Sequence, residues 1–217
     1  YEKASIVPSF SMAKSFTSIL IGCAIEDGLI ESINDPVTKY IPNMQKNGFD
    51  KVTILHLLQM TSGIRFNEGY FNPFGKVATF YYGTKLRRAT ERLKLQGVPG
   101  EAFAYKSGNT QLLGHILDKV LKDKTITDYF YEKIWQPLDM EYEGSWSLDR
   151  KKNGIEKTFC CVNARARDFA KIGRLFLNNG NWEGQQLVSE DWVKASTKVD
   201  TTAGSAKYYQ YQWWLPS

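Results

Sequence analysis

From Ala4 to Ile25 the chain is uncharged at every position but Lys14, and most of those positions are apolar. Such a run predicts a buried helix over Ser11–Asp27, hydrophobic nearly all round and closed by Gly28 at its C′ position. Asp35-Pro36 reads as a cap followed by proline at the first helical position, opening a short turn that ends near Pro42. Thr53 is placed to cap a helix over Ile54–Met60, in which Ile54, Leu57 and Leu58 share a face, and Thr61-Ser62-Gly63 ends it. A loop rich in Gly, Asn and Pro follows from Arg65 to Gly75, then helical material over Lys76–Leu95 interrupted at Gly83. Pro99-Gly100 turns the chain into an extended segment, Ala102–Tyr105. Leu112, Leu113, Ile116, Leu117, Val120 and Leu121 recur at helical spacing and predict a helix over Asn109–Lys122 with one apolar stripe. Another helix runs from Thr125 to Pro137.

Beyond residue 140 the periodicity mixes. Gly144–Leu148 and Lys157–Val162 read as strands, and Ala164–Leu177 reads as an amphipathic helix stopped by Asn178-Asn179-Gly180. Trp182–Val188 suggests a small hairpin, Ser189 a helix cap, and Tyr208–Leu215 a final strand. Helices thus dominate the first half and scattered strands the second. No repeat, low-complexity tract or linker divides the chain, so residues 1–217 are expected to form a single domain.

Composition narrows the class. The 217 residues, 42% hydrophobic and 14% aromatic, suffice for a sizeable globular core. The net charge of +5 is spread along the chain; its densest basic stretch, Lys85–Lys94, is broken by Glu91 and interleaved with leucines, so it reads as a solvated helix face rather than a nucleic-acid surface. After Lys14 the uncharged stretch lasts only to Ile25, too short for a membrane span. No signal peptide is visible, and because the chain opens at Tyr1 without a methionine, an upstream segment is expected and the compartment stays open. Cys23, Cys160 and Cys161 form no disulfide framework and read as small core residues.

The charge inside the apolar run carries the chemistry. Burying an ammonium is costly unless it finds a partner or gives up its proton, and burial lowers a lysine pKa. With Ser11 opening the helix, Lys14 lies three residues on, within reach of the hydroxyl, and the helix N-terminus favours the alkoxide. This predicts a serine nucleophile activated by lysine. Competing chemistries lack their residues. His56 and His115 are the sole histidines, neither in an H-E-x-x-H setting, which argues against a histidine-based zinc site and a Ser-His-Asp triad. No G-x-S-x-G elbow, G-x-G-x-x-G fingerprint or G-x-x-x-x-G-K-[ST] loop occurs, so neither metal nor cofactor is expected.

Ser11-Met12-Ala13-Lys14-Ser15 resembles the nucleophile motif of the penicillin-recognising serine hydrolases, which include class C β-lactamases, DD-peptidases and related esterases and amidases. Further blocks resemble the same family in order: Glu26-Asp27-Gly28 with Asp35-Pro36-Val37; Leu57 to Ile64, similar to L-L-x-H-T-S-G with Met60 where histidine is common; Pro99-Gly100, Phe103 and Tyr105; Leu112-Leu113-Gly114; Pro137 to Met140; and Arg167-Asp168-Phe169-Ala170-Lys171. The resemblance implies an α+β fold in which a helical region packs on an antiparallel sheet, with the sheet's N- and C-terminal strands largely absent from this chain. It implies Tyr105 as the tyrosine of the Y-x-N motif, which takes part in proton transfer beside the lysine with a lowered pKa. Here the motif reads Tyr105-Lys106-Ser107, and the loss of asparagine's bifunctional amide disfavours β-lactams. Tyr105 to Thr110 and the loop Phe66-Asn67-Glu68-Gly69-Tyr70 look most like the nylon-oligomer (aminohexanoate dimer) hydrolase branch. That likeness implies Tyr70 and Ser107 as substrate contacts and, through the aromatic strand before the third motif, Trp213 as a cleft residue.

The third motif, K-T-G or H-x-G, is absent, and by the resemblance it would follow Pro216. The expected activity is cleavage of an amide or ester through an acyl-enzyme, on a small-molecule or short-peptide substrate. The alternative from another class is a non-catalytic binding protein on the same scaffold, recognising cell-wall peptides or another acyl ligand.

Overall fold

The computed structural model describes residues 2, 4–70, 72, 73 and 75–216. Phe71 and Phe74 of the expected Arg65–Gly75 loop, and the termini Tyr1 and Ser217, lie outside the described residues. The fold is α+β: a helical region packs against a small antiparallel sheet.

Strand β1 (Ile6–Pro8) leads through a 3-10 turn, Phe10–Met12, into helix α1 (Ala13–Glu26). Every α1 residue from Ala13 to Ala24 is buried, as the apolar run requires, and Gly28 takes the left-handed conformation that ends the helix. Short α2 (Val37–Tyr40) starts after Pro36 rather than on it. Helix α3 (Ile54–Leu58) carries the expected Thr53 cap, and His56 completes a capping box by accepting from the Thr53 N–H. Helices α4 (Lys76–Tyr82) and α5 (Leu86–Glu91) flank the interruption at Gly83. Helix α6 (Ser107–Val120) starts two residues before its expected beginning and packs its apolar stripe on α1 and α3. Thr125 caps α7 (Ile126–Phe130), which widens into a π-turn over Tyr131–Trp135 before Pro137.

In the second half, β2 (Ser145–Trp146) and β3 (Val162–Arg165) join β1 in the order β1-β3-β2, with Val7 opposite Ala164 and Trp146 opposite Val162. Amphipathic α8 (Ala166–Leu177) follows, then the hairpin β4 (Asn181–Trp182) and β5 (Gln185–Gln186) and helix α9 (Glu190–Thr197), capped by Ser189 as expected. The hairpin β6 (Tyr209–Gln210) and β7 (Trp213–Trp214) closes the described chain.

Three expectations change. The strand over Lys157–Val162 begins only at Val162, because side chains claim the backbone groups before it. Thr17 donates to Thr158 O, Gln111 donates to Glu156 O and accepts from Thr158 N, and Trp146 Nε1 donates to Lys157 O and Cys160 O. Ala102–Tyr105 is extended as expected and joins no strand ladder; Ala104 N–H donates to Met60 O instead. The final strand is a hairpin, since Tyr211 and Gln212 both adopt positive φ and form the two-residue turn between β6 and β7. Cys160 and Cys161 do not stand as separate core residues: they are joined in a vicinal disulfide at a turn where Cys161 has φ +73°, and Cys23 is the buried free thiol.

Candidate active site

Ser11 sits between β1 and α1 on the 3-10 turn, directly after Phe10, which holds φ +45° although it is not glycine. A left-handed non-glycine residue beside a candidate nucleophile is the kind of backbone strain that collects at functional sites. Lys14, the second residue of α1 and one turn past Ser11, is 1% exposed. Its Nζ donates to Ser11 Oγ at 3.1 Å and to Phe159 O at 2.8 Å, and lies 5.1 Å from the centre of the Tyr105 ring. Burial pulls the Lys14 pKa down to about 8, with the Glu68 carboxylate acting in the opposite direction. At pH 7 about a tenth of such a group is neutral, a usable population of base.

Tyr105, on the segment before α6, lies close enough for the Ser11 hydroxyl to act on its phenol. Its phenol departs from expectation: burial raises its pKa above the ordinary value, Ser11 opposes this, and Glu68 and Tyr81 add to it. The expected lowering by the ammonium is not what sets the direction: burial dominates, and the nearby carboxylate adds to it. Tyr105 is therefore a neutral phenol near pH 7, suited to donating a proton.

The other expected residues are arranged around a group that the sequence reading passed over, Glu68. Ser107, buried at the first turn of α6, donates its backbone N–H to Glu68 Oε2 at 2.8 Å and its hydroxyl to Glu68 Oε1. With that hydrogen committed, Ser107 offers the cleft an acceptor. Tyr70 is 58% exposed and stands further out, its hydroxyl donating to Glu68 Oε1 at 3.2 Å. Trp213 turns away from the site and packs on Phe176 of α8 at 4.1 Å between ring centres. Adjacent strand residues face opposite sides, so Trp214 takes the place expected of Trp213: it is 59% exposed and 5.5 Å from the Tyr105 ring. Ser11, Lys14, Tyr105 and Ser107 are thus gathered at one place with Tyr70 at its edge, and Trp213 is not.

Glu68 belongs to the Phe66-Asn67-Glu68-Gly69-Tyr70 loop, and an acidic residue in a polar loop carries no signal of its own. Phe159, a main-chain acceptor, had none either. His56 sits in its capping box, and His115 is fully buried in α6 with its pKa lowered to about 4 by burial. Among the described residues no helix is long and apolar enough to cross a membrane.

Comparison with known proteins gives the same lineage. A family model described as Beta-lactamase matches residues 1–216. The chain is 28% identical over 240 residues to a 6-aminohexanoate-dimer hydrolase of Paenarthrobacter ureafaciens, covering 99% of this chain and 60% of that protein. Protein flp of Staphylococcus aureus strain MW2 is 31% identical over 149 residues, which cover 64% of this chain and 28% of the relative. Among solved structures, a candidate 6-aminohexanoate-dimer hydrolase from Bacillus anthracis superposes with a TM-score of 0.84 at 25% identity, covering 99% of this chain and 60% of that one. A family VIII carboxylesterase shares the fold, with a TM-score of 0.74 at 18% identity over 96% of this chain and 66% of its own. The chain therefore spans about three fifths of the length of the first two hydrolase relatives.

Proposed function

The chain belongs to the beta-lactamase family, and from that membership and the geometry at Ser11 we propose that it is a serine hydrolase cleaving an amide or ester through a covalent acyl-enzyme. The observation that carries this reading is the buried Lys14 ammonium, held 3.1 Å from Ser11 Oγ with its pKa brought down to about 8. A lysine kept only for solubility has no reason to occupy that position.

In the proposed reaction neutral Lys14 takes the proton of Ser11 as Oγ attacks the substrate carbonyl. The Ser11 backbone N–H, at the turn leading into α1, is one donor for the resulting oxyanion. Tyr105 gives its proton to the departing nitrogen or oxygen and is reprotonated by Lys14, which completes acylation. Water then attacks the ester, passing its proton through Tyr105 to neutral Lys14, and Lys14 returns a proton to Ser11 Oγ as the acyl group departs as the acid and the serine is regenerated.

The similarity to 6-aminohexanoate-dimer hydrolases and the serine at position 107 favour a linear amide or simple ester over a β-lactam. The test is labelling with a fluorophosphonate and mapping of the adduct by mass spectrometry. The expected adduct is on Ser11, lost in Ser11→Ala; labelling elsewhere, or turnover by that variant at the wild-type rate, would overturn the proposal. Nitrophenyl esters, linear amides, a D-alanyl-D-alanine peptide and nitrocefin then sort the substrate class.

A further inference from the structure

Resting on that hydrolase reading, we propose that Glu68 is a positioning residue for the reaction: its carboxylate ties the Asn67–Tyr70 loop to the start of α6 and stands as the fixed negative charge facing Lys14.

Helix α6 begins without a side-chain cap of its own, since Lys106 occupies the cap position and supplies no acceptor. The first N–H groups of a helix need partners from elsewhere, and an anion there is favoured by the helix dipole. Glu68 meets both needs from a different element by accepting from the Ser107 N–H and the Ser107 hydroxyl. It accepts a third hydrogen from Tyr70. The loop that presents it is itself pinned, with Gly69 N–H donating to Asn67 Oδ1 at 2.9 Å. Tyr105 lies two residues before Ser107, so the anchor at Ser107 also restrains the phenol that reaches Ser11.

The charge acts on the base as well as the frame. Around Lys14 stand Ser11 on its own turn, Tyr105 ahead of α6, and Glu68 on the loop. Tyr70 and Tyr81 feel the same carboxylate, the latter from α4 against Phe159. Of two cations nearby, Lys106 donates its Nζ to Ile64 O and also feels the Glu68 carboxylate, whereas Lys157 donates its Nζ to Tyr81 O. Among the groups that bear on Lys14 electrostatically, Glu68 is the one that keeps its proton on, against burial that takes it off. It thereby offsets part of what burial does to the pH at which the base becomes available.

Glu68→Gln keeps the shape and one acceptor oxygen but removes the charge, whereas Glu68→Asp keeps the charge and shortens the reach to Ser107. In the full chain, the pH profile of kcat/KM on a nitrophenyl ester and the titration of Lys14 followed by NMR are compared for wild type and both variants. For Glu68→Gln the acid limb and the Lys14 titration are expected to move together to lower pH, by about half a unit or more. For Glu68→Asp both are expected to stay in place while kcat falls several-fold. A merely structural role moves neither titration. The proposal is overturned if the Lys14 titration in Glu68→Gln coincides with wild type, or if Glu68→Asp shifts it equally. Because NMR needs no turnover, a shifted Lys14 titration in a chain whose Ser11 never labels would sink the hydrolase reading and leave the electrostatic link intact.

Discussion

Lys14 has a folded pKa near 8 against an ordinary 10.5, so the folded chain gives up a proton that the unfolded chain keeps. Wherever the unfolded state binds more protons, stability rises with pH. Below pH 8 the burial of this charge opposes folding by about 3 kcal/mol, and the penalty disappears as pH climbs from 8 to 10.5. Comparing wild type with Lys14→Met by urea unfolding at pH 7 and pH 10 is therefore expected to shift the difference in favour of wild type by about 2 to 3 kcal/mol at the higher pH. An unchanged difference would mean that Lys14 is not buried as a titrating base. The same residue gives the catalytic prediction that kcat/KM rises about tenfold per pH unit on the acid side and levels near 8. For Tyr105 the raised phenol makes it an acid, so Tyr105→Phe should lower kcat about 100- to 1,000-fold on an amide substrate while its melting temperature stays near wild type.

Two elements meet at Gly114, where α6 crosses the irregular segment ahead of β3. A Cβ placed there would stand 2.2 Å from Thr158 Oγ1, which is held in turn by Thr110 O at 3.0 Å. Alanine gains about 1 kcal/mol in helix propensity at such a position, but overpacking costs about 1–3 kcal/mol and no flexible end is available to yield. Gly114→Ala is thus expected to be destabilising, and by displacing Thr158 it should also loosen the neighbouring Phe159 carbonyl that holds Lys14; the urea midpoint and the rate of Ser11 labelling should fall together. A milder loss is expected at α3, where Thr53→Ala removes half of the capping box and costs about 1 kcal/mol in the same unfolding measurement. The caps at Thr53 and Ser189 were legible in sequence because a cap is a local bond between residues three apart. The segment over 157–161 was not, because its partners Thr17, Gln111 and Trp146 are distant in the chain.

Across the whole molecule, Gln212 joins the terminal hairpin to three helices. Its Nε2 donates to Leu57 O and Leu58 O, both at 2.9 Å, its Oε1 accepts from Thr110 at 2.6 Å, and its main-chain carbonyl accepts from Ser15 at 2.9 Å. Gln212→Ala would strand the buried Thr110 hydroxyl on α6 and remove one of two donors from Leu57 O and Leu58 O, which keep the Met60 and Gln212 backbone N–H groups, so a loss of about 1–3 kcal/mol in thermal or urea unfolding is expected. Smaller losses would mean that water replaces the amide. Nothing in the local sequence marks this residue, and a smooth aromatic strand was the natural expectation for Tyr208–Leu215. What the sequence alone determined was whatever depends on spacing within a few residues: the buried helix α1, the stripe of α6, the caps, and the placement of Ser11 one turn from Lys14. What only the tertiary structure decided was which distant groups close around that pair: Phe159 as the lysine's acceptor, Glu68 as the anchor of α6, Trp214 in place of Trp213, and the direction of the Tyr105 shift. Each of these depends on burial and on contacts between segments far apart in the chain, where shielding from water and a facing charge, rather than residue type, set the energy of a proton or a hydrogen bond.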